Sequence, residues 1–124
     1  MKKLHFNRLI RDKVRDKLID KRLVFRIEKL DEVGFEIELL KKVGEEGEGL
    51  IAAKNREEFL SEFDDLLYVI EEIKRLKNIT DQELKKVREK NFKKKGGFNE
   101  RLYLYWTNDD GYKTNEKKEN RSKK

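Results

Sequence analysis

The sequence predicts an all-α fold, a helical bundle with room for one small two-stranded β ribbon. Three observations predict it. Apolar residues recur at helical spacing along three segments, a Thr-x-x-Glu capping box opens a fourth helix, and no proline interrupts any. At 124 residues the chain suits a single domain, expected over residues 1–106, followed by a disordered basic tail over 107–124.

The first helical segment, Asn7 to Ile19, mixes Leu9, Ile10, Val14, Leu18 and Ile19 with basic residues. Leu23, Phe25 and Ile27 then alternate with Val24, Arg26 and Glu28, which reads as a short strand. From about Asp31 to Ala53 the apolar positions Leu39, Leu40, Val43, Leu50 and Ile51 return to helical spacing. Four glycines (34, 44, 47 and 49) weaken that helix by about 1 kcal/mol each relative to alanine, so it must lean on packing. Asn55 suits the N-cap of a helix running to about Lys77, with a stripe of Phe59, Phe63, Leu66, Ile70 and Ile73. Thr80 and Glu83 form the capping box of a helix that starts at Asp81 and stops near Gly96-Gly97. Leu102, Leu104 and Trp106 alternate with Tyr103 and Tyr105, a second strand able to pair with the one near Phe25.

Composition narrows the chemistry. The absence of cysteine excludes disulfides, thiolate metal sites and cysteine nucleophiles, and one histidine, His5, excludes a poly-histidine site within one chain. No apolar run approaches the roughly 18 residues of a membrane span, and the opening residues lack the apolar core of a leader, so a cytoplasmic protein is expected. Hydrophobic residues make up only 35% of the chain, which points to an oligomer that shares its core, a homodimer or larger. Charge is laid out in blocks: +6 over residues 1–22, −10 over 31–72 and +6 over 85–95. Such a layout can hold cations centrally and phosphates at the edges; it also suits solvated helix faces of alternating charge.

Helical geometry gathers part of the acidic block. At about 100° per residue, Glu46 borders the apolar stripe of its helix while Glu45 and Glu48 point away. In the next helix Glu62 and Asp65 border the Phe63/Leu66/Ile70 stripe, and Asp64 faces the other way. Two antiparallel helices joined near Lys54-Asn55 would bring Glu46, Glu62 and Asp65 together. Three such carboxylates repel unless a cation neutralises them, and an all-oxygen set suits Mg²⁺ or Mn²⁺ rather than zinc. The same residues also read as ordinary acids on charge-rich helices.

Three segments, taken in order, carry a resemblance. Glu45-Glu46 with Gly49 three residues on, then Glu62-x-x-Asp65, is similar to the EExxE…ExxD signature of the all-α NTP pyrophosphatases, the MazG-like superfamily that includes phosphoribosyl-ATP pyrophosphohydrolase-like proteins. Asn7-Arg8-Leu9-Ile10-Arg11-Asp12-Lys13-Val14 resembles the opening of a small house-cleaning branch of that superfamily, and Lys95-Gly96-Gly97-Phe98 its closing motif. The resemblance implies Mg²⁺-dependent hydrolysis of a nucleoside triphosphate to the monophosphate and pyrophosphate. It implies Glu46, Glu62 and Asp65 as metal ligands and Glu45 and Glu46 as the catalytic pair. Arg11, Lys13, Lys90, Lys94 and Lys95 become the expected phosphate contacts, each of which also reads as a solvated surface charge.

The departures are specific. Gly49 replaces the third glutamate of EExxE, Arg15 stands where the opening motif carries proline, and Asp64 occupies a position that is small in the family. A second reading follows from Gly49 and the basic segments: a catalytically inactive descendant that binds nucleotides or nucleic acid. His5 reads as a structural or surface residue, and Tyr103, Tyr105 and Trp106 as packing residues more than a base-stacking platform.

Overall fold

A computed structural model describes residues 1–109; the remainder of the expected tail, residues 110–124, lies outside the described residues. The described residues are all-α, with helices α1 (Asp12–Asp20), α2 (Glu32–Ala52), α3 (Arg56–Leu76) and α4 (Asp81–Lys95). None of these helices is long and apolar enough to cross a membrane. The chain divides inside α4 into a unit of residues 1–86 and a second unit that begins at Val87.

The helix ends follow local chemistry. Asp31 caps α2 by accepting the Gly34 N–H at 2.8 Å, and Asn55 caps α3 by accepting the Glu58 N–H at 2.9 Å. Thr80 and Glu83 close the capping box of α4 reciprocally, at 3.1 and 3.0 Å. At the other ends α1 and α3 stop in the same way. Arg22 and Asn78 take left-handed backbone (φ 54° and 53°), and the residues after them, Leu23 and Ile79, donate back to Leu18 and Lys74. Gly96 ends α4 with φ 72°.

Two expectations change. The first helix begins at Asp12 rather than Asn7, because Asn7 has φ 48° and Arg11 is extended (ψ 155°). The intervening residues are held by the second helix instead: Lys42 Nζ donates to the Leu9 carbonyl at 2.9 Å. Nor is there a strand among the described residues, where a ribbon was expected from residues 23–28 and 102–106. A lone two-stranded ribbon is marginal in water, and both segments lie exposed without an apolar layer to pack on.

Within the first unit α2 and α3 are the helices that pack on each other, as an antiparallel hairpin around Leu39 and Val69. Among the described residues these two side chains are the buried hydrophobic ones. So small a core leaves most apolar residues of the hairpin at its surface.

Candidate metal centre

The turn between α2 and α3 sets the register of the site. Asn55 caps the α3 amides while the Lys54 N–H donates to Glu58 Oε2 at 2.9 Å, so α3 starts four residues after α2 ends. In that register Glu46 on α2 faces Glu62 and Asp65 on α3. One oxygen from each of the three carboxylates lies within 4.8 Å of the other two. These are the three residues expected from the sequence as metal ligands.

The three acids are half-buried, with 15% of the Glu46 side chain accessible. Burial raises the pKa of Glu46 above the ordinary carboxylate value, and the charges of Asp65, Glu62 and Glu45 push it the same way against the opposing pull of Lys42. The group therefore holds its proton more tightly than a free glutamate. A cation placed among the three oxygens would relieve the same repulsion. The donor set, all carboxylate, fits a hard divalent ion.

Glu45 sits apart from this triad. Its Oε2 lies 2.9 Å from Lys42 Nζ, a charge contact on the α2 surface beside Glu46, whose Oε1 is 3.9 Å from the same ammonium. Lys42 thus ties three things together: Glu45, Glu46 and the Leu9 carbonyl of the N-terminal segment. Arg11 comes to the site from that segment. Its guanidinium is 3.4 Å from Asp65 Oδ1 and stands 4.2 Å over the ring of Tyr68.

Lys13 is exposed on α1, and Lys90, Lys94 and Lys95 are exposed on the part of α4 that belongs to the second unit. Sequence reasoning missed Lys42, Tyr68 and the role of Gly49. Lys42 was legible as a base three and four residues before Glu45 and Glu46 on one helix face. Tyr68, three residues after Asp65, shares its face in the same way.

Gly49 is where the missing glutamate matters. A Cβ built there would overlap Glu62 Oε2 and stand 2.9 Å from Glu62 Cδ. The Glu62 carboxylate thus rests against the bare backbone of α2, in space that a side chain at position 49 would claim. No family model, characterised protein or solved structure matches the chain.

Proposed function

We propose that the chain is a Mg²⁺-dependent nucleoside triphosphate pyrophosphohydrolase of the MazG-like kind, releasing the monophosphate and pyrophosphate. The observation that carries this reading is the convergence of Glu46, Glu62 and Asp65, from two helices, to within 4.8 Å. Glu46, Glu62 and Asp65 hold the metal, with Mn²⁺ an alternative to Mg²⁺. When bound, the ion supplies neutralising charge for the triphosphate and lowers the pKa of water.

The chain's own residues do the rest. Arg11, already turned to Asp65, offers a planar donor to a phosphate oxygen at the edge of the triad. Water attacks the α-phosphorus, the bond from that phosphorus to the bridging oxygen breaks, and pyrophosphate leaves. Glu45, the carboxylate beside the triad, accepts the proton of the attacking water. Lys13, Lys90, Lys94 and Lys95 are proposed as further nucleotide contacts.

The test is pyrophosphate release from a panel of ordinary and modified nucleoside triphosphates, with Mg²⁺, with Mn²⁺ and with chelator. Metal-dependent release that is lost in Glu62→Gln and Asp65→Asn supports the reading. A second reading, a nucleotide- or nucleic-acid-binding protein without catalysis, is favoured by one observation, the exposed lysines that close α4 (Lys93, Lys94, Lys95). Salt-dependent binding of RNA or DNA without pyrophosphate release from any triphosphate would favour it over the first.

A further inference from the structure

Two cations stand at the rim of the carboxylate triad, and they are held differently. Lys42 Nζ has partners outside the triad, Glu45 at 2.9 Å and the Leu9 carbonyl at 2.9 Å, and lies 3.9 Å from Glu46. The charged partner of Arg11 is Asp65, at 3.4 Å, and its guanidinium stands 4.2 Å over the ring of Tyr68. Lys42 is therefore fixed whatever Glu46 does. Arg11 is fixed through a carboxylate of the triad itself.

The backbone around Arg11 is anchored. Two residues before it, Lys42 holds the Leu9 carbonyl. At Arg11 the carbonyl accepts the Val14 N–H at 3.0 Å, where α1 begins. What can move is the side chain, and with 54% of it accessible it has room to turn. Its grip on Asp65 is correspondingly weak, since water screens a half-exposed ion pair.

We propose that Arg11 is a latch, which pairs with Asp65 in the metal-free chain and swings off it towards a triphosphate when a divalent ion is bound. The inference rests on the metal reading proposed above. A dication among Glu46, Glu62 and Asp65 takes up the negative charge that holds the guanidinium and repels it as a like charge. Lys42 keeps Glu45 and the Leu9 carbonyl, so the backbone hinge stays in place and the guanidinium remains at the edge of the triad. There a phosphate offers it the planar, two-oxygen partner that Asp65 no longer is. The competition is reciprocal: as the ion weakens the hold on Arg11, Arg11 lowers the affinity for the ion by the same factor. A residue that merely helped to build the triad would weaken metal and substrate together when removed. Removal of a latch tightens the metal and weakens the substrate.

Calorimetric titration of Mg²⁺ without nucleotide, into the parent, Arg11→Gln and Arg15→Gln, tests it. Arg15 pairs with Asp16 rather than with the triad, so Arg15→Gln removes the same unit of charge and leaves the latch intact. Arg11→Gln should bind Mg²⁺ roughly three- to fivefold more tightly than the parent, the scale of one half-exposed ion pair, and Arg15→Gln within about twofold of it. In nuclear magnetic resonance spectra of the parent, the Arg11 side-chain protons should be shifted upfield by the Tyr68 ring and move to their ordinary positions as Mg²⁺ saturates. If none of the three proteins binds Mg²⁺, the metal reading falls and the latch falls with it. If all bind and Arg11→Gln is no tighter than the parent, or the Arg11 resonances stay where they are, the latch alone is overturned and the metal reading stands.

Discussion

The carboxylate of Glu62 occupies the space in which a side chain at Gly49 would begin. Position 49 is one helical turn from Glu46 on α2, where the resembled signature carries its third glutamate. The chain has a glycine there, and a ligand candidate from the neighbouring helix leans into the gap. Gly49 thus sets how closely Glu62 approaches Glu46.

Gly49→Ala separates helix stability from site geometry. Alanine should add up to about 1 kcal/mol of helix propensity, offset in part by the push on the Glu62 carboxylate, which is flexible enough to move. The expected outcome is a melting temperature equal to or above the parent's, with Mg²⁺ binding weakened several-fold by calorimetry. Gly44→Ala, in open space, should stabilise without touching Mg²⁺ binding. Gly49→Glu should bind Mg²⁺ better than Gly49→Ala, because it replaces the displaced carboxylate with another. Equal Mg²⁺ binding in the parent and Gly49→Ala would show that Glu62 is not a ligand.

The helices were legible because their signals are local. Asn55, the Thr80–Glu83 box and the stop at Gly96 each act within one turn, and each was readable from residue types at fixed spacing. The carboxylate triad was legible for a related reason: once two helices are antiparallel with a short turn, the period of the helix places Glu46, Glu62 and Asp65. The ribbon failed because strand alternation at residues 23–28 and 102–106 says nothing about whether a partner and a covering layer exist. The N-terminal segment failed because its fate is decided by a distant group, Lys42, which takes the Leu9 carbonyl. Gly49 was read only as a missing ligand, since the approach of Glu62 to the α2 backbone has no sequence signal.

Stability should depend on pH through Glu46. Its folded pKa is raised, so the fold favours the protonated form. The associated stabilisation is present below the ordinary carboxylate pKa and is lost as pH rises through the raised folded value. Without divalent metal, the melting temperature of the parent should therefore fall as pH climbs from about 4.5, the ordinary glutamate value, towards neutrality. Glu46→Gln should flatten that fall and be the more stable protein at neutral pH. A Glu46→Gln protein with an unchanged pH profile would mean the three carboxylates do not repel one another in solution.

Arg11 should matter more to substrate than to stability. Its ion pair with Asp65 is half-exposed, a class of contact worth about 0–1 kcal/mol. Arg11→Ala should leave the melting temperature within a few degrees of the parent. A lost charge-assisted contact of about 1.5–3 kcal/mol would raise the KM for a nucleoside triphosphate roughly ten- to hundredfold. Tyr68→Phe keeps the ring under the guanidinium and should behave as the parent. An unchanged KM in Arg11→Ala would remove Arg11 from the phosphate contacts.

Lys42 supplies, in the metal-free chain, part of the positive charge that a bound cation would supply. Its ammonium pairs with Glu45 at 2.9 Å, reaches Glu46 at 3.9 Å and pins the Leu9 carbonyl, all with only 20% of the side chain accessible. Lys42→Met keeps the length of the apolar stem and removes the charge. Three consequences follow. The fold should lose about 1–2 kcal/mol, since a partly buried charged hydrogen bond is gone. The pKa of Glu46 should rise further, because Lys42 is the group that lowers it. The rise in melting temperature on adding Mg²⁺ at neutral pH should be larger than in the parent, because the ion then relieves a repulsion that no lysine offsets. Glu46→Gln in the same background should shrink that gain, since it removes one of the repelling charges and one of the ligands together. A Mg²⁺-induced shift no larger in Lys42→Met than in the parent would show that the ammonium and the metal do not share the same carboxylates.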